Sequence, residues 1–390
     1  MAAAVALAEM GTPVTVFEAG SVLGGRARRV LISSDGQGTV LDNGQHIFVG
    51  AYSELFRLMR TVGVPDDALL RMPLQLRYAK DFSLDARLGM VAALAMARGI
   101  PLAEKIAAVR FMAALRKKGF HLEEDVPVSV LLRSHAQDGR IGHYLWRPLC
   151  VSALNTPVEA ASSNTFLAAL RDTLSGPPGA SDLVLPRADL SRLFPEPASQ
   201  FVQARGGEVR LRSSIAHLDE VRRDFQSIIV AVGPHQLKTL LPDRPEFSYQ
   251  PIYTCYLQYP ESLKLDHPMI GMADGLVQWV FDRGALTGER GRLACVISAQ
   301  GDHQQLTQDE VAARCAEEVA RAFSLDQTPL WSRVIAEKRA TITCSVGLQR
   351  PAMERDGVLL AGDYTDPEYP PTIEAAVRSG VRAARRILER

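Results

Sequence analysis

Short, continuous apolar runs with an acid or a glycine at one end recur along the chain. The first run, over residues 14–18, is rich in β-branched and aromatic types and stops at Glu18. It follows an alanine-rich stretch over residues 2–11 that ends on a glycine, a composition that favours a helix closed by a left-handed residue. Continuous apolar runs are typical of strands buried in a parallel sheet. The pattern therefore predicts a helix, then a buried strand with a carboxylate at its end.

Strands of the same kind are predicted three more times. A Gly-Gly turn introduces the run over residues 206–211, and the run over 227–234 ends in Gly-Pro. The last run, over 357–363, ends in Gly-Asp, and a Pro-Pro-Thr start then opens a helix that continues to residue 388. Apolar runs of this length between turn residues are typical of the interior of a parallel sheet.

The stretch from about residue 73 to residue 198 is different, because helix-favouring apolar residues dominate it. Helices are predicted over residues 84–97 and 103–115, and the second one ends in a basic stretch, 116–119. Two such helices suit a membrane surface, the mouth of an apolar tunnel, or a buried hairpin with a solvated basic tip. Their shortness favours the buried hairpin.

The region after residue 249 returns to short strands. They are predicted over residues 253–259, 276–281 and 293–298, and a helix follows over 307–322. Because a chain of 390 residues suits two domains, we predict an α/β fold with two of them. A discontinuous nucleotide-binding domain would comprise residues 1–72, 199–248 and 334–390, and a second, α+β domain would comprise residues 73–198 and 249–333.

Composition narrows the class of protein. Hydrophobic residues make up 47% of the chain and charged residues 23%, as in soluble globular proteins. Lys and Arg together number 44, as do Asp and Glu, so no overall field draws the chain to nucleic acid. The five cysteines are scattered and form no C-x-x-C pair, which argues against a disulfide framework or a metal site and favours the reducing cytoplasm. No apolar run is long enough to cross a bilayer.

Three features supply groups that a flavin nucleotide needs. A carboxylate at a strand end, such as Glu18, accepts hydrogen bonds from ribose hydroxyls. The helix after Asp363 presents a positive N-terminus, which suits the flavin edge where negative charge collects on reduction, and Asp363 itself can reach ribityl hydroxyls or phosphate. A Gly-Asp before a helix is a weak signal alone. Combined with the Glu18 strand and the glycine turn at residues 24–26, it predicts a flavin site.

The first half of the expected nucleotide-binding unit does not occur in the sequence. A strand and a G-x-G-x-x-G turn should precede residue 2, because these glycines open the helix whose N-terminus faces the pyrophosphate. Three explanations are open: a misplaced start codon, a truncated chain, or a protein that has lost the loop. The intact flavin signals elsewhere favour the first two.

The motifs at residues 23–26, 362–363 and 372–374, with the Glu18 strand, resemble the superfamily of FAD-dependent amine oxidases and phytoene desaturases. Within that superfamily, four further stretches look like the squalene-associated branch, the hydroxysqualene dehydroxylases of hopanoid biosynthesis: residues 42–46, 146–150, 153–157 and 180–183. The resemblance covers the whole chain apart from the absent first strand and glycine loop. It implies a glutathione-reductase-like, Rossmann-type FAD domain beside a substrate domain.

The resemblance also implies roles for individual residues. Glu18 would hold the adenosine ribose, and Val209 would hold the adenine edge through its backbone. The residues implied for the diphosphate are Gly24, Gly25 and Arg26. Those implied for the ribityl side and the isoalloxazine are Gly362, Asp363, Thr372 and Ile373. Asn43, Gly44 and His46 would lie near the flavin ring.

The reaction implied by the resemblance replaces the hydroxyl of hydroxysqualene with hydride, giving squalene and oxidised flavin. Such a step needs an acid to help water leave and an apolar pocket that shields a cation. Asp42 and His46 are the candidate acids, and His143 is the weaker third, since a satisfied structural histidine is its ordinary interpretation. Trp146 and Asn155 are placed with the substrate. For Trp146, packing on a polyene and an ordinary place in the core are equally open.

Partners and alternatives follow from the same resemblance. We expect an apolar isoprenoid substrate, a peripheral contact with the inner face of the cytoplasmic membrane, and contacts with other enzymes of squalene synthesis. A carotenoid-type desaturase would run the hydride from substrate to flavin on the same fold. An amine oxidase is a weaker hypothesis, since no paired aromatic cage is evident near the C-terminal helix. A chain without the glycine loop could also be a flavin-free structural relative.

Overall fold

The computed structural model describes residues 1–34, 37–78, 81–241, 245–355 and 357–390. The helices are α1 Ala2–Glu9, α2 Ser53–Thr61, α3 Met90–Met96, α4 Leu102–Lys117, α5 Val128–Ser134, α6 Arg147–Leu154, α7 Ser163–Leu174, α8 Leu190–Leu193, α9 Pro195–Ala204, α10 Asp219–Arg222, α11 Pro234–Leu240, α12 Arg283–Thr287, α13 Gln308–Phe323 and α14 Ile373–Leu388. A π-helical turn, Gly142–Trp146, precedes α6, and short 3₁₀ turns cover Asp66–Ala68 and Asp302–Gln305.

The strands are β1 Thr15–Phe17, β2 Arg29–Ser34, β3 Gln37–Asp42, β4 Phe48–Val49, β5 Leu69–Met72, β6 Gln75–Tyr78, β7 Phe82–Asp85, β8 Leu183–Pro186, β9 Glu208–Arg210, β10 Ile228–Val230, β11 Tyr249–Gln258, β12 Met269–Gly271, β13 Trp279–Asp282, β14 Arg292–Ser298, β15 Trp331–Ile342, β16 Glu354–Arg355 and β17 Val358–Leu360. The four strands predicted from apolar runs all occur, as β1, β9, β10 and β17. The three predicted short strands also occur, as β11, β13 and β14.

Parallel pairing joins distant parts of the chain. Strand β1 pairs with β9, so that Val16 faces Val209, and β10 pairs with β17. Helix α1 packs along α14, where a Cβ on Gly380 would lie 3.0 Å from the backbone nitrogen of Ala3. A glycine is needed there because the two backbones approach so closely. These pairings agree with an α/β nucleotide-binding region assembled from separate segments, and the limits of the two domains stay a prediction.

Five antiparallel strands form a sheet in the order β12-β13-β14-β11-β15, and both faces of this sheet are apolar. On one side, Cys255, Val280 and Cys295 pack against the buried face of α13. On the other side, Tyr256 and Trp279 belong to the largest core, which the helical region of the chain covers. The period-2 alternation of a strand sends neighbouring side chains to opposite faces, so the sheet separates two cores.

The predicted helix over residues 84–97 is wrong in its first half. Residues 82–85 form strand β7, in which buried Phe82 and Leu84 alternate with half-buried neighbours, and only Met90–Met96 is helical. Gly89, with φ +89°, separates the two elements. A short apolar stretch has no clear period, so composition alone could not distinguish strand from helix. The helix predicted over 103–115 is confirmed as α4. Among the described helices, none is both long and apolar enough to cross a membrane.

Candidate flavin and substrate site

Arg26 joins three segments that the sequence placed in one site. Its Nη2 donates to Asp363 Oδ1 at 2.8 Å, at the end of β17, and its Nη1 donates to the carbonyl of Ala340 at 2.6 Å. Its own carbonyl accepts a hydrogen bond from Asn43 Nδ2 at 3.0 Å. The structure therefore brings Arg26, Asn43 and Asp363 together, although 337 residues separate the first from the last.

The glycine turn before Arg26 leaves space for a ligand beside the backbone. Gly24 and Gly25 both have positive φ, +109° and +58°. A Cβ on Gly24 would lie 2.5 Å from the Ala27 carbonyl, whereas no atom lies within 4 Å of the place where Gly25 would carry one. Bare backbone N–H groups next to a guanidinium that is one-third exposed form an anion-binding surface. These residues fit the diphosphate of a dinucleotide.

Glu18 lies at the end of β1, facing the start of α1. Its Oε1 accepts a hydrogen bond from the Gly20 N–H at 2.6 Å, and its backbone N–H donates to Arg210 beside Val209. The amino group of Met1 lies near Glu18. Burial lowers the pKa of this amino group, and the charge of Glu18 opposes that shift. A carboxylate, the positive end of a helix and the exposed backbone of the neighbouring strand are the groups expected around a bound nucleoside.

A buried carboxylate near the start of α14 binds the N-terminus of α2, a contact that the sequence did not reveal. Thr372 caps the helix by accepting from the Ala375 N–H. Fully buried Glu374 accepts from the N–H groups of Glu54 and Leu55 at 3.1 and 2.9 Å, and from Arg378 Nε at 2.8 Å. One carboxylate thus satisfies two open N–H groups of α2. Residues 372–374 marked a helix start in the sequence, but no local signal tied Glu374 to α2.

The loop over residues 43–47 carries His46 to the same site. Its Nδ1 lies 2.7 Å from the carbonyl of Gly44, so Nδ1 carries the proton and Nε2 offers a lone pair. Burial lowers the pKa of His46, the hydrogen bond to the Gly44 carbonyl opposes that shift, and the nearby charge of Arg26 adds to it. A neutral imidazole at neutral pH accepts a proton more readily than it donates one. This geometry makes His46 a better hydrogen-bond acceptor than acid.

Asp42 is held in a different network, which Leu190 and Arg283 form with it. Its Oδ1 accepts from the Leu190 N–H at 2.9 Å, and its Oδ2 lies 3.4 Å from Arg283 Nη1. Arg283 also donates to Glu289, at 2.7 Å, and to Gln45. Burial raises the pKa of Asp42 to about 6, and the charge of Arg283 opposes that rise. A carboxyl with this pKa can hold a proton near neutral pH, although the contacts described here hold both its oxygens.

The two residues placed with the substrate are bonded inside the protein. Trp146 is fully buried and donates from Nε1 to Gln137 Oε1 at 2.8 Å, at the end of the π-helical turn. Asn155 ends α6 with φ +46° and donates to Thr341 Oγ1 at 3.0 Å. It also accepts from the Ala299 N–H at 2.7 Å. These contacts favour the core interpretation of Trp146, and a role with substrate stays a prediction for both residues.

A row of side chains leads from this site into the large core. Gln45 N–H donates to Thr254 Oγ1 at 3.3 Å on β11. Thr254 pairs with Val296 on β14, which pairs with Trp279 on β13, so all three side chains lie on one face of the sheet. Trp279 belongs to an aromatic cluster centred on Tyr78. The ring centroids of Trp279, Phe82 and Tyr144 each lie 5.4–5.8 Å from that of Tyr78. Two strand spacings separate Thr254 from Trp279, roughly 10 Å.

Comparison with known proteins identifies the family. A family model described as flavin containing amine oxidoreductase matches residues 1–388. The chain belongs to this family. The resemblance to this superfamily, the predicted oxidoreductase class and the predicted cofactor, FAD, are confirmed by that membership.

Individual relatives cover nearly the whole chain. Hydroxysqualene dehydroxylases of Zymomonas mobilis and Sinorhizobium fredii are 27% and 26% identical to it, each over 98% of this chain and 95% and 94% of their own lengths. A protein of Synechococcus elongatus described as a probable zeta-carotene desaturase is 22% identical over 100% of the chain and 96% of its own length. The structure of a putrescine oxidase bound to putrescine matches with a TM-score of 0.68 at 16% identity, over 100% of this chain and 96% of that one. The predicted α/β flavoprotein fold is confirmed, whereas the roles of individual site residues stay predictions.

Proposed function

We propose that this flavoprotein is a hydroxysqualene dehydroxylase, which reductively removes the hydroxyl of hydroxysqualene and forms squalene for hopanoid biosynthesis. The observation that carries the proposal is the near full-length similarity to hydroxysqualene dehydroxylases of two bacteria, at 26–27% identity. The apolar core that begins at Thr254 supports it, because it offers an isoprenoid a water-free environment next to the polar site.

FAD would be held by the residues that Arg26 brings together and by those at the two helix ends. Glu18 and the Val209 backbone would bind the adenosine, and the turn at Gly24, Gly25 and Arg26 would bind the diphosphate. The ribityl chain and the ring would contact Gly362, Asp363, Thr372 and Ile373, with Asn43, Gly44 and His46 near the ring. When reduced and bound there, FAD supplies the hydride for a carbon that loses its hydroxyl.

The chain itself would contribute a proton and a dry environment. The C–O bond breaks as a proton reaches the departing oxygen, so that water leaves and hydride completes the new C–H bond. Asp42 is the better of the two predicted acids, since its pKa of about 6 lets it hold a proton. His46, neutral and with Nε2 unprotonated, would instead accept a hydrogen bond in the site.

The substrate would lie along the sheet face that runs from Thr254 to Trp279, beneath the helical region. Aromatic rings on this path can stabilise a developing allylic cation by their electron-rich faces. Trp146 and Asn155 would shape the surrounding core. We also propose that the chain acts in the cytoplasm, peripherally at the inner face of the membrane where isoprenoids dissolve, in contact with other enzymes of squalene synthesis.

The test is a single-turnover assay with two substrates. The purified chain is loaded with FAD, confirmed by its visible absorption, reduced chemically, and mixed with hydroxysqualene in detergent. Squalene identified by mass spectrometry, with stoichiometric flavin oxidation, is the expected result. Phytoene with oxidised flavin is the matched control for the carotenoid desaturase reaction. A desaturated product there, without squalene in the first assay, would assign the reverse direction of hydride transfer. Absence of bound flavin would leave a flavin-free structural relative.

A further inference from the structure

Several exposed large apolar side chains lie close together in the sequence, on or beside α3 and α4. Of the thirteen on described residues, five fall between residues 88 and 106, on or beside α3 and α4. We call them the α3–α4 surface: Leu88, Val91, Met96, Leu102 and Ile106. The most exposed are Leu88, at 77%, and Leu102, at 72%. Of the other eight, Leu31 and Val40 face each other across the β2–β3 hairpin, and the remaining six are spread along the chain.

The outer face of α4 is apolar at its N-terminal end and basic at its C-terminal end. Leu102, Ile106, Arg110, Ala113 and Lys117 are all exposed and recur every three or four residues, so they form one stripe. The stripe is aliphatic in its first turns and basic in its last ones, over roughly 22 Å of helix. A helix with such a stripe can place its apolar end among acyl chains and its basic end among headgroups.

The charge of this segment differs from that of the whole chain. Between residues 87 and 118 there are seven basic residues and a single acid, although the complete sequence is electrically balanced. The acid, Glu104, is turned inward and accepts a hydrogen bond from the Ile141 N–H at 2.8 Å. Arg87 is paired with Asp85, and Lys105 donates to the Ala95 carbonyl. Five more basic side chains of the segment are exposed: Arg98, Arg110, Arg116, Lys117 and Lys118.

We infer that the α3–α4 surface docks on an anionic lipid bilayer. Aliphatic side chains at one end of a helix and Lys and Arg at its other end complement a layer of negative headgroups over acyl chains. A second copy of the chain is the less suitable occupant, because a two-fold contact would bring the basic residues of one copy against those of the other. Because the whole chain is electrically balanced, attraction to anionic lipid would have to come from a local surface such as this one.

The inner side of the same helices covers the proposed substrate path. Met90 and Leu94 of α3 and Phe111 of α4 belong to the core that contains the aromatic cluster. The residue that follows α3 by two, Arg98, pairs with β7 through its N–H and the Ser83 carbonyl at 2.9 Å. One helix layer therefore lies between the α3–α4 surface and Phe82. Docking specifies the surface of the membrane contact proposed above and does not depend on the reaction, whereas entry of an isoprenoid from the bilayer at this place rests on the proposed dehydroxylase function.

Vesicle sedimentation tests the inference with the full chain. Wild type should sediment with vesicles of equal parts phosphatidylcholine and phosphatidylglycerol, and not with phosphatidylcholine alone. The double variant Leu102→Ser with Ile106→Ser should lose at least about tenfold of its lipid partitioning. The matched control, Leu211→Ser with Leu330→Ser, removes exposed leucines elsewhere and should bind as wild type. Charge reversal by Lys117→Glu with Lys118→Glu should weaken binding, and the control Lys264→Glu should not.

A further variant tests docking by a change in fluorescence instead of by a loss of binding. Ile106→Trp places a fluorophore on the surface, and lipids brominated in the acyl chain should quench it in anionic vesicles. Unquenched fluorescence, equal binding to neutral vesicles, or wild-type binding by the serine variant would each overturn the inference. So would a wild-type dimer in solution that the serine variant converts to monomers, because a second copy would then be the occupant.

Turnover in detergent separates this inference from the proposed function. The serine variant should convert hydroxysqualene in detergent micelles at the wild-type rate, since neither substituted residue lies in the site. Wild type that turns over in detergent but binds no vesicle would refute docking, and with it the proposed membrane contact, and would leave the dehydroxylase function standing. Wild type that binds anionic vesicles but makes no squalene would refute the dehydroxylase function alone.

Discussion

Around Arg26 the side chains are polar and each is held by a specific partner, whereas beneath α3 and α4 they are apolar and held by close packing. The first region assembles residues that lie more than 300 positions apart, through single hydrogen bonds such as Arg26 to Asp363. The second assembles many contacts that are individually weak. Loss of one group should therefore be costly in the polar region, because it leaves a buried partner unsatisfied. In the apolar region shape and volume should matter more than identity.

The largest expected effect in the polar region comes from Glu374→Ala. It removes a buried carboxylate and leaves two N–H groups of α2 and the Arg378 guanidinium without that acceptor. We expect a loss of about 3 kcal/mol in the free energy of unfolding, measured by urea denaturation. The control is Glu310→Ala, which removes an exposed carboxylate in the first turn of α13 and should cost about 1 kcal/mol. Equal losses would mean that burial of Glu374 adds nothing.

The second effect is a pH dependence that comes from Asp42. Its pKa is raised from 3.8 to about 6 in the folded protein, so folding favours the protonated form. The stabilisation is complete below pH 3.8 and is lost as the pH rises through about 6. Since one pKa unit corresponds to about 1.36 kcal/mol, the stabilisation amounts to on the order of 3 kcal/mol. Relative to Asp42→Asn, which does not titrate at this position, the unfolding free energy of wild type should fall by about this amount between pH 4 and pH 7. Parallel curves would show that Asp42 titrates normally.

The third effect concerns cofactor affinity. Arg26→Ala removes the cation beside the glycine turn and the link to Asp363, and charge-assisted hydrogen bonds are worth about 1.5–3 kcal/mol. FAD should therefore bind roughly tenfold to a hundredfold more weakly, measured by quenching of flavin fluorescence on titration. Arg60→Ala, which truncates an exposed arginine on α2, serves as the control. If FAD binds both variants equally well, the diphosphate lies elsewhere.

The smallest effect is expected for an exchange in the apolar core that conserves volume. Met112→Leu replaces a buried residue of α4 by one of similar volume, and such exchanges cost less than about 1.5 kcal/mol. Phe111→Ala, at the adjacent buried position, leaves a cavity and should cost about 3–5 kcal/mol. Denaturation curves of the two variants compare shape with identity directly. A large cost for the methionine exchange would remove the contrast between the two regions.

The same contrast explains which features the sequence revealed. The polar strand ends were predictable because glycines and acids at the ends of buried strands have backbone reasons to be there, and Arg26, Asn43 and Asp363 do meet. The strand at residues 82–85 was missed, because a short apolar stretch has no strong period. The contact between Glu374 and α2 spans 320 positions, and the network of Arg283 with Asp42 spans 241. No local pattern marks such pairs, since only the finished fold brings them together.

The close crossing at Gly380 also determines how the backbone of α1 should exchange its amide hydrogens. With eight residues, α1 is too short to persist as an isolated helix in water. Its amides are therefore protected only while α14 stays in contact, and both helices should exchange deuterium as one cooperative unit. A side chain introduced at Gly380 would push the two backbones apart and should raise exchange in α1 first, while the sheet on which α13 packs keeps its protection.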